Sequence, residues 1–474
     1  MAQTHGHYPA PLVSLDVIKK TYGMKNRDKA LQIEIAGFAD AAITTVSKNL
    51  INIFFMTENI RKQTGVGDAS IKPKPVQQVG VLGAGVRGAG VAFVVADRGM
   101  QARVKDVSNQ ALAKALQAAG KIWGKLESRR KINKFERAEK ASRLTVGTTY
   151  DGFKQLDVVV EAIVEDLAVK RKVFGELAPQ CRADAIIVSN TSMLKIDDMA
   201  TAIPQPENFA GMHFFNPVDK MPLVEVVRGA RSSDVTVATV FDLAKKMGKF
   251  PVVVKDSPGF IVNRILVPYM IEALHLLSNG VSIERVDSLY VEKLGMPMGP
   301  MRLIDEVGWD VGYKVPLLFR DAFGNRVDIP EAMHKMNASK RLGKKGGLGF
   351  YRYDAKGKEG GIDASIYGVI GLKTPSNGLT ETEIIERGVF IMVNEAARAL
   401  LEEHVVNTPE EVDLAMIMGT GFPPFRGGLL RYADELGSQY IVNQMEIYAS
   451  KCGERFKPCT ALRNLSVHNR KFYA

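Results

Sequence analysis

Apolar and polar positions change their spacing twice along the chain. Through the first seventy residues they alternate at roughly helical spacing, as in Ala36 to Glu58 (AGFADAAITTVSKNLINIFFMTE), until a Gly/Lys/Pro stretch reaching Pro75 reads as a linker. From Val79 the text VGVLGAGVRGAGVAFVVADRG is an apolar strand, a Gly-rich turn and an apolar helix, and QARVKDV is a second short strand. That is a βαβ unit. Strand-like runs recur at Asp157 to Glu161, Ala185 to Ser189, Phe209 to Phe215 and Pro251 to Val254, with helical text between the first several of them. The alternation predicts a doubly wound, mainly parallel sheet. After Asp256 no such run recurs and helical periodicity dominates.

The helical remainder repeats itself. Glu272-Ala273, Val286-Asp287, GMPMGP from Gly295 and IDEVG ending at Gly308 return as Glu395-Ala396, Val412-Asp413, GFPPFRGG from Gly421 and ADELG ending at Gly437. Two similar helical domains packed together are the simplest consequence. The expected organisation is a helical linker over 1–75, an α/β Rossmann-like domain over 76–255, and all-α domains over 256–355 and 356–474. The apolar faces of the first seventy residues need burial and are expected against the chain's own C-terminal half.

Composition narrows the class. With 46% apolar and 24% charged residues in 474, the chain is globular rather than disordered or disulfide-stapled. Cys181, Cys452 and Cys459 form no CxxC pair and no cluster with the seven histidines, so no metal site is expected and a reducing compartment fits. No run reaches the ~18 apolar residues of a membrane span, and MAQTHGHYPAP has neither the basic nor the apolar part of a secretory signal. Lys and Arg exceed Asp and Glu by 63 to 52, which fits a nucleic-acid surface, a membrane surface or a small polyanionic substrate. The densest basic stretch, KLESRRKINK from Lys125, lacks interleaved aromatics and reads as a solvated helix face, so no nucleic acid is expected.

Gly83, Gly85 and Gly88 form GxGxxG directly between a strand and a helix, and Asp106 ends the next strand 18 residues after Gly88. This context makes it a dinucleotide fingerprint. The glycines admit the pyrophosphate to the helix N-terminus, and the carboxylate accepts from the adenosine ribose. A carboxylate there repels a 2′-phosphate, which favours NAD over NADP; Arg103 and Lys105 fall out of phase for a phosphate clamp. In GMHFFNPVDKMPLVEVV, His213 ends one strand-like run and Glu225 lies in the next, the composition of a general base with its carboxylate partner. A packed core histidine with an unrelated glutamate fits the spacing equally well. Ser192, in SNTS after an apolar strand, belongs at the same crevice rim or caps the next helix. Asn216 and Asn263 offer amides, and Glu161, Glu165 and Lys170 follow the strand expected to flank the nicotinamide half. His275 reads as core; His5, His7, His334, His404 and His468 read as exposed.

Taken in order, GAGVRGAG with Asp106, EAIVED, SNTS, GMHFFNPVDKMPLVEVV, DSPGFIVNRIL and KKGGLGFYRY resemble the L-3-hydroxyacyl-CoA dehydrogenase part of the multifunctional α subunits of fatty acid β-oxidation complexes. The resemblance spans nearly the whole chain, including YPAPL, GFPPF and RFKPC. It implies that His213 is the catalytic base and Glu225 its orienting partner, with Ser192 and Asn263 completing the catalytic group. It implies NAD contacts at Gly83, Gly85, Val86, Arg87, Gly88, Asp106, Ile163, Val164, Glu165, Lys170, Ser192 and Asn216. The implied reaction is NAD-linked oxidation of L-3-hydroxyacyl-CoA to 3-ketoacyl-CoA, with the acyl-CoA between the α/β and first helical domains. A thiolase subunit or a second copy is the implied partner, and the bacterial cytoplasm is favoured over the mitochondrial matrix. Two positions depart from the pattern: Arg87 stands where methionine is usual, and Met418 precedes the second repeat's GxGF. Fused members also carry an enoyl-CoA hydratase domain ahead of the linker, and none is read here, so no hydratase activity is expected. The alternatives are another NAD-linked hydroxy-acid dehydrogenase, or a scaffold subunit that holds a thiolase.

Overall fold

The computed structural model describes residues 4–372 and 378–473. Three helices lead, α1 (Ala10–Thr21), α2 (Arg27–Ala42) and α3 (Thr45–Lys62). Then come β1 (Gln78–Leu82), α4 (Val86–Asp97), β2 (Gln101–Lys105), α5 (Asn109–Ser128), α6 (Lys134–Ser142), β3 (Leu144–Gly147), β4 (Val158–Glu161), α7 (Leu167–Leu177), β5 (Ile186–Ser189) and α8 (Ile196–Ala200). β6 (Phe209–Phe214), β7 (Leu223–Arg228), α9 (Asp234–Lys246) and β8 (Phe250–Lys255) complete an eight-stranded sheet, and α10 (Val262–Ser278) opens a mostly helical remainder. The chain divides into two compact units, one formed by residues up to Met56 with those from Val262, the other by Thr57–Ile261.

In the second unit the strand order is β3-β2-β1-β4-β5-β6-β7-β8. Every neighbouring pair is parallel except β6 with β7. β4, β5 and β6 are buried at every residue, as strands covered by helices on both faces require. The chain runs outward from β1 to β3 and resumes on β1's other side at β4, so the strand order reverses there. Ligands of open α/β sheets bind at the carboxyl ends of such a pair.

In the other unit the sequence repeat becomes a two-fold arrangement of buried charges. Arg264 Nε on α10 donates to Glu395 Oε1 at 2.8 Å, and 123 positions on Arg387 Nε donates to Glu272 Oε1 at 2.7 Å, so each copy's arginine pairs with the other copy's glutamate. Asp287 accepts from the Met301 and Arg302 amides and the Tyr351 hydroxyl; Asp413 accepts in the same way from Leu430, Arg431 and Tyr473. The facing glycines are obligatory, because a Cβ on Gly299 or Gly428 would lie 2.2 Å from the aspartate's Cγ. The remainder is not wholly helical. Tyr351–Tyr353 and Glu359–Ile362 pair as a short antiparallel hairpin, which the sequence concealed because three or four residues are too few to show alternation.

The leading helices meet their expected packing only in part. Within this unit Asn49 on α3 donates to Phe425 O and accepts from Arg431 Nε, Met56 is buried, and the His7 ring stacks on Phe425 at 4.3 Å. α1 buries none of its residues, and Ile18 and Phe38 stay 59% and 74% exposed.

Candidate functional site

The antiparallel register of β6 and β7 sets His213 directly opposite Glu225. Opposed residues of such a pair project on the same face, and here the side chains meet, His213 Nδ1 lying 2.6 Å from Glu225 Oε2 with both residues buried. The glutamate's other oxygen accepts from the Ile261 N–H at 3.1 Å, which fixes the carboxylate plane. Phe215 and Phe260 flank the imidazole, with ring centroids 4.5 and 5.7 Å away. With Nδ1 committed to the carboxylate, Nε2 is the nitrogen left for a ligand. Asn190 ties the next strand to this one: its Oδ1 accepts from the Phe214 N–H at 2.9 Å, while its Nδ2 is buried with no partner among the described residues.

At the switch point the Gly-rich turn closes tightly. Gly83 has φ +97°, and a Cβ on it would sit 2.6 Å from Ala162 O; a Cβ on Gly88 would lie 1.9 Å from Gly83 O. Among the described residues nothing lies within 4 Å of the missing Cβ of Gly85, the N-cap of α4, and no side chain caps the helix. Unpaired first-turn N–H groups beside open space suit a phosphate. Asp106 holds this turn, accepting from the Ala84 N–H at 2.7 Å and from the Ser108 N–H at 2.8 Å. Gly85, Val86, Ser108, Lys114, Asn216 and Asp219 share the wall of a cavity of about 470 Å³, which brings Asn216 to the glycine loop. The space matches the usual few hundred Å³ of a cofactor or ligand site, so the residues fit a bound dinucleotide.

The loop after β4 meets the SNTS loop through Glu165. Its Oε1 accepts from the Thr191 hydroxyl and from the Ser192 and Met193 N–H groups. Burial pushes the Glu165 carboxyl up, but Lys170, the Thr191 hydroxyl, the Ser192 N–H and Arg87 together hold it below its ordinary value. Lys170 itself is fully buried. Its ammonium lies 2.6 Å from Glu161 Oε1 and 3.6 Å from Glu165 Oε2, and Glu161 also accepts from Ser189 Oγ and the Ile163 N–H. Lys170 therefore anchors two carboxylates from below instead of presenting a charge at the surface. Ser192 is half-buried and Val164 exposed on the crevice rim. Asn263 lies on α10 in the other compact unit.

Other histidines depart from expectation. His334 is half-buried against the Tyr313 hydroxyl at 2.9 Å, and His7 is half-buried on Phe425, because both lie over aromatic rings that polar sequence text does not reveal. His275 is half-buried, its Nε2 2.9 Å from Asp328 O.

The sequence model of the 3-hydroxyacyl-CoA dehydrogenase NAD binding domain matches residues 78–257, and that of the family's C-terminal domain matches 259–353 and 384–472. The chain belongs to the 3-hydroxyacyl-CoA dehydrogenase family. The second domain's double match is the internal repeat. The fatty acid oxidation complex subunits alpha of Shewanella amazonensis and Shewanella loihica are each 42% identical to it, over 100% and 99% of this chain. The chain spans 66% of the length of these curated relatives. Among solved structures, 3-hydroxybutyryl-CoA dehydrogenase of Escherichia coli K12 superposes with a TM-score of 0.74 at 28% identity, covering 84% of this chain and 99% of that one. The dehydrogenase part of multifunctional enzyme 1 from C. elegans shares the fold at 24% identity and a TM-score of 0.62, over 88% of this chain and 99% of its own.

Three participants escaped the sequence reading in their actual roles: Asn190 as the bridge to the histidine's strand, Glu161 as the buried counter-ion of Lys170, and the Ile261 amide that steadies Glu225. SNTS and VVVEAIVED marked the first two places without saying which atoms would meet. A backbone donor leaves no mark in sequence at all.

Proposed function

We propose that the protein oxidises L-3-hydroxyacyl-CoA to 3-ketoacyl-CoA, reversibly and with NAD, and that His213 is its general base. The buried 2.6 Å dyad on the crevice side of the sheet carries this reading, because a carboxylate held on Nδ1 selects the tautomer whose Nε2 accepts a proton. NAD, when bound, supplies the acceptor for the hydride that leaves C3. Gly83, Gly85, Gly88 and Asp106 hold it, with Val86, Arg87, Ile163, Val164, Glu165, Ser192 and Asn216 around them and Lys170 beneath. His213 Nε2 takes the 3-hydroxyl proton as the C3 carbonyl forms, and Glu225 compensates the imidazolium. Ser192 orients the hydroxyl, and Asn216 and Asn263 offer amides to the acyl group. On this reading residues 1–75 are the linker, 76–255 hold the cofactor, and 256–355 and 356–474 are the helical repeats. A bacterial cytoplasmic setting, with a thiolase subunit or a second copy as partner, belongs to the same proposal; the Shewanella relatives, bacterial and named as subunits of a complex, support its coarser part.

The test is NADH consumption at 340 nm with acetoacetyl-CoA, run beside acetoacetate. Preference for the thioester supports the reading, and turnover of the free acid alone overturns it. A general base contributes about 10²–10⁴-fold, so His213→Gln is expected to lower kcat by that factor with little change in NADH affinity. A variant keeping more than half of the activity removes His213 from the role.

A further inference from the structure

The glycine loop carries one charge that the fold does not use. Arg87 lies in the first turn of α4, two residues after the Gly85 N-cap, and is half-buried. Its guanidinium makes no hydrogen bond or ion pair with any described residue, although other half-buried cations of this chain do: Arg341 bonds Asp363, and Lys140 lies 3.0 Å from Asp97. Burying a guanidinium partway without a partner costs free energy that an anionic ligand recovers. The place is confined. Gly83 abuts Ala162, so the first turn of α4 stands beside the loop that carries Glu165. Arg87 is close enough to help hold the Glu165 carboxyl down, yet outside ion-pair distance of it, so it is not spent neutralising that group.

We propose that Arg87 is a second anion contact for the diphosphate of the dinucleotide, added to the α4 N-terminus, and that it favours the reduced cofactor over the oxidised one. It stands near enough to Glu165 to lower that carboxyl, at the first turn of α4 that faces the diphosphate site. NADH carries one more net negative charge than NAD⁺, because its nicotinamide ring is neutral. A cation at the glycine loop would therefore gain more from the reduced form. The assignment rests on the NAD-linked reading above, and its test needs no acyl-CoA, so the two fail separately.

The experiment is direct binding of NADH and NAD⁺, by protein-sensitised NADH fluorescence and by calorimetry, to the wild type, Arg87→Met and Arg87→Lys. Removing a charge-assisted hydrogen bond from a half-buried site predicts a Kd for NADH that rises about tenfold in Arg87→Met, with a smaller rise, about threefold, for NAD⁺. Arg87→Lys falls between, keeping the charge but not the planar fork. Raising the salt from about 0.01 M to about 0.5 M narrows the gap between wild type and Arg87→Met, since screening weakens the attraction that only the wild type has. The Arg87→Met effect persists in a Glu165→Gln background. An Arg87→Met protein with native thermal melting that binds NADH within twofold of wild type overturns the proposal. So does an equal loss for NAD⁺ and NADH, or an effect that vanishes with Glu165→Gln, which would make Arg87 a neutraliser of Glu165 only.

Discussion

Replacing Glu225 with glutamine changes one atom and one charge, and two of the donors around the carboxylate already set the consequence. The carboxylate accepts from the imidazole on Oε2 at 2.6 Å and, on its other oxygen, from the Ile261 N–H at 3.1 Å. An amide has a single acceptor oxygen. If that oxygen faces His213, the NH₂ points at the Ile261 N–H and two donors oppose each other in a buried site, at about 1–3 kcal/mol for the unmade bond. If it faces Ile261, the NH₂ donates to Nδ1 and the proton moves to Nε2, so the imidazole presents a donor where the reaction needs a base. Either arrangement also removes the counter-charge of the imidazolium, and a hydrogen bond to a charged group contributes about 1.5–3 kcal/mol against about 1 for a neutral one. Loss of counter-charge alone, about 0.5–2 kcal/mol, predicts a kcat lower by about twofold to thirtyfold at 1.4 kcal/mol per decade, while a flipped tautomer takes the loss toward ~10⁴. We expect Glu225→Gln to lose at least about 10²-fold in kcat for acetoacetyl-CoA reduction, with NADH affinity within threefold of wild type. Glu225→Gln at more than a tenth of wild-type kcat would show that the dyad does not set the tautomer, and the two-acceptor argument would fall.

Three other outcomes rest on groups elsewhere in the chain. Asp106→Ser is expected to narrow the preference for NADH over NADPH, read as the ratio of kcat/KM values, and to weaken both cofactors because the Ala84 N–H loses its acceptor; an unchanged ratio would mean Asp106 does not exclude the 2′-phosphate. Arg387→Met leaves Glu272 with Arg455 as its sole remaining guanidinium partner among the described residues, so denaturant unfolding should show a loss at the low end of the ~3–5 kcal/mol typical of broken buried pairs, and a loss below about 1 would deny the cross-paired charges a structural role. Burial pushes the Cys181 thiol up to about 11 and the Cys459 thiol to about 12. At pH 8 roughly one Cys181 in a thousand is then the reactive thiolate, so iodoacetamide should label the native protein far more slowly than the urea-unfolded chain, and equal rates would contradict this.

The sequence disclosed what depends on composition and local spacing. GxGxxG between a strand and a helix, with Asp106 after the next strand, located the loop in which Gly83 and Gly88 are sterically required and Gly85 leaves open space. The repeat was legible because Glu272 and Glu395, and Asp287 and Asp413, had to remain acidic to accept the same donors. What stayed hidden is what depends on register across the sheet. Nothing in twelve residues of separation states that His213 and Glu225 stand opposite one another; a one-residue slip of β7 would have sent the carboxylate to the other face. The pairing of β6 with β7 is the one antiparallel step among the described strands of this sheet, and it is what turns two strand-end residues into a dyad. Lys170 shows a related dependence: spacing puts it after the strand, and only the packing of its helix back against that strand sets its ammonium on the buried Glu161. Spacing in the chain thus identified the residues, and strand pairing decided which of them meet. The same pairing makes the site sensitive to changes that touch no reacting atom, since any shift of β7 against β6 moves the carboxylate before it moves anything else.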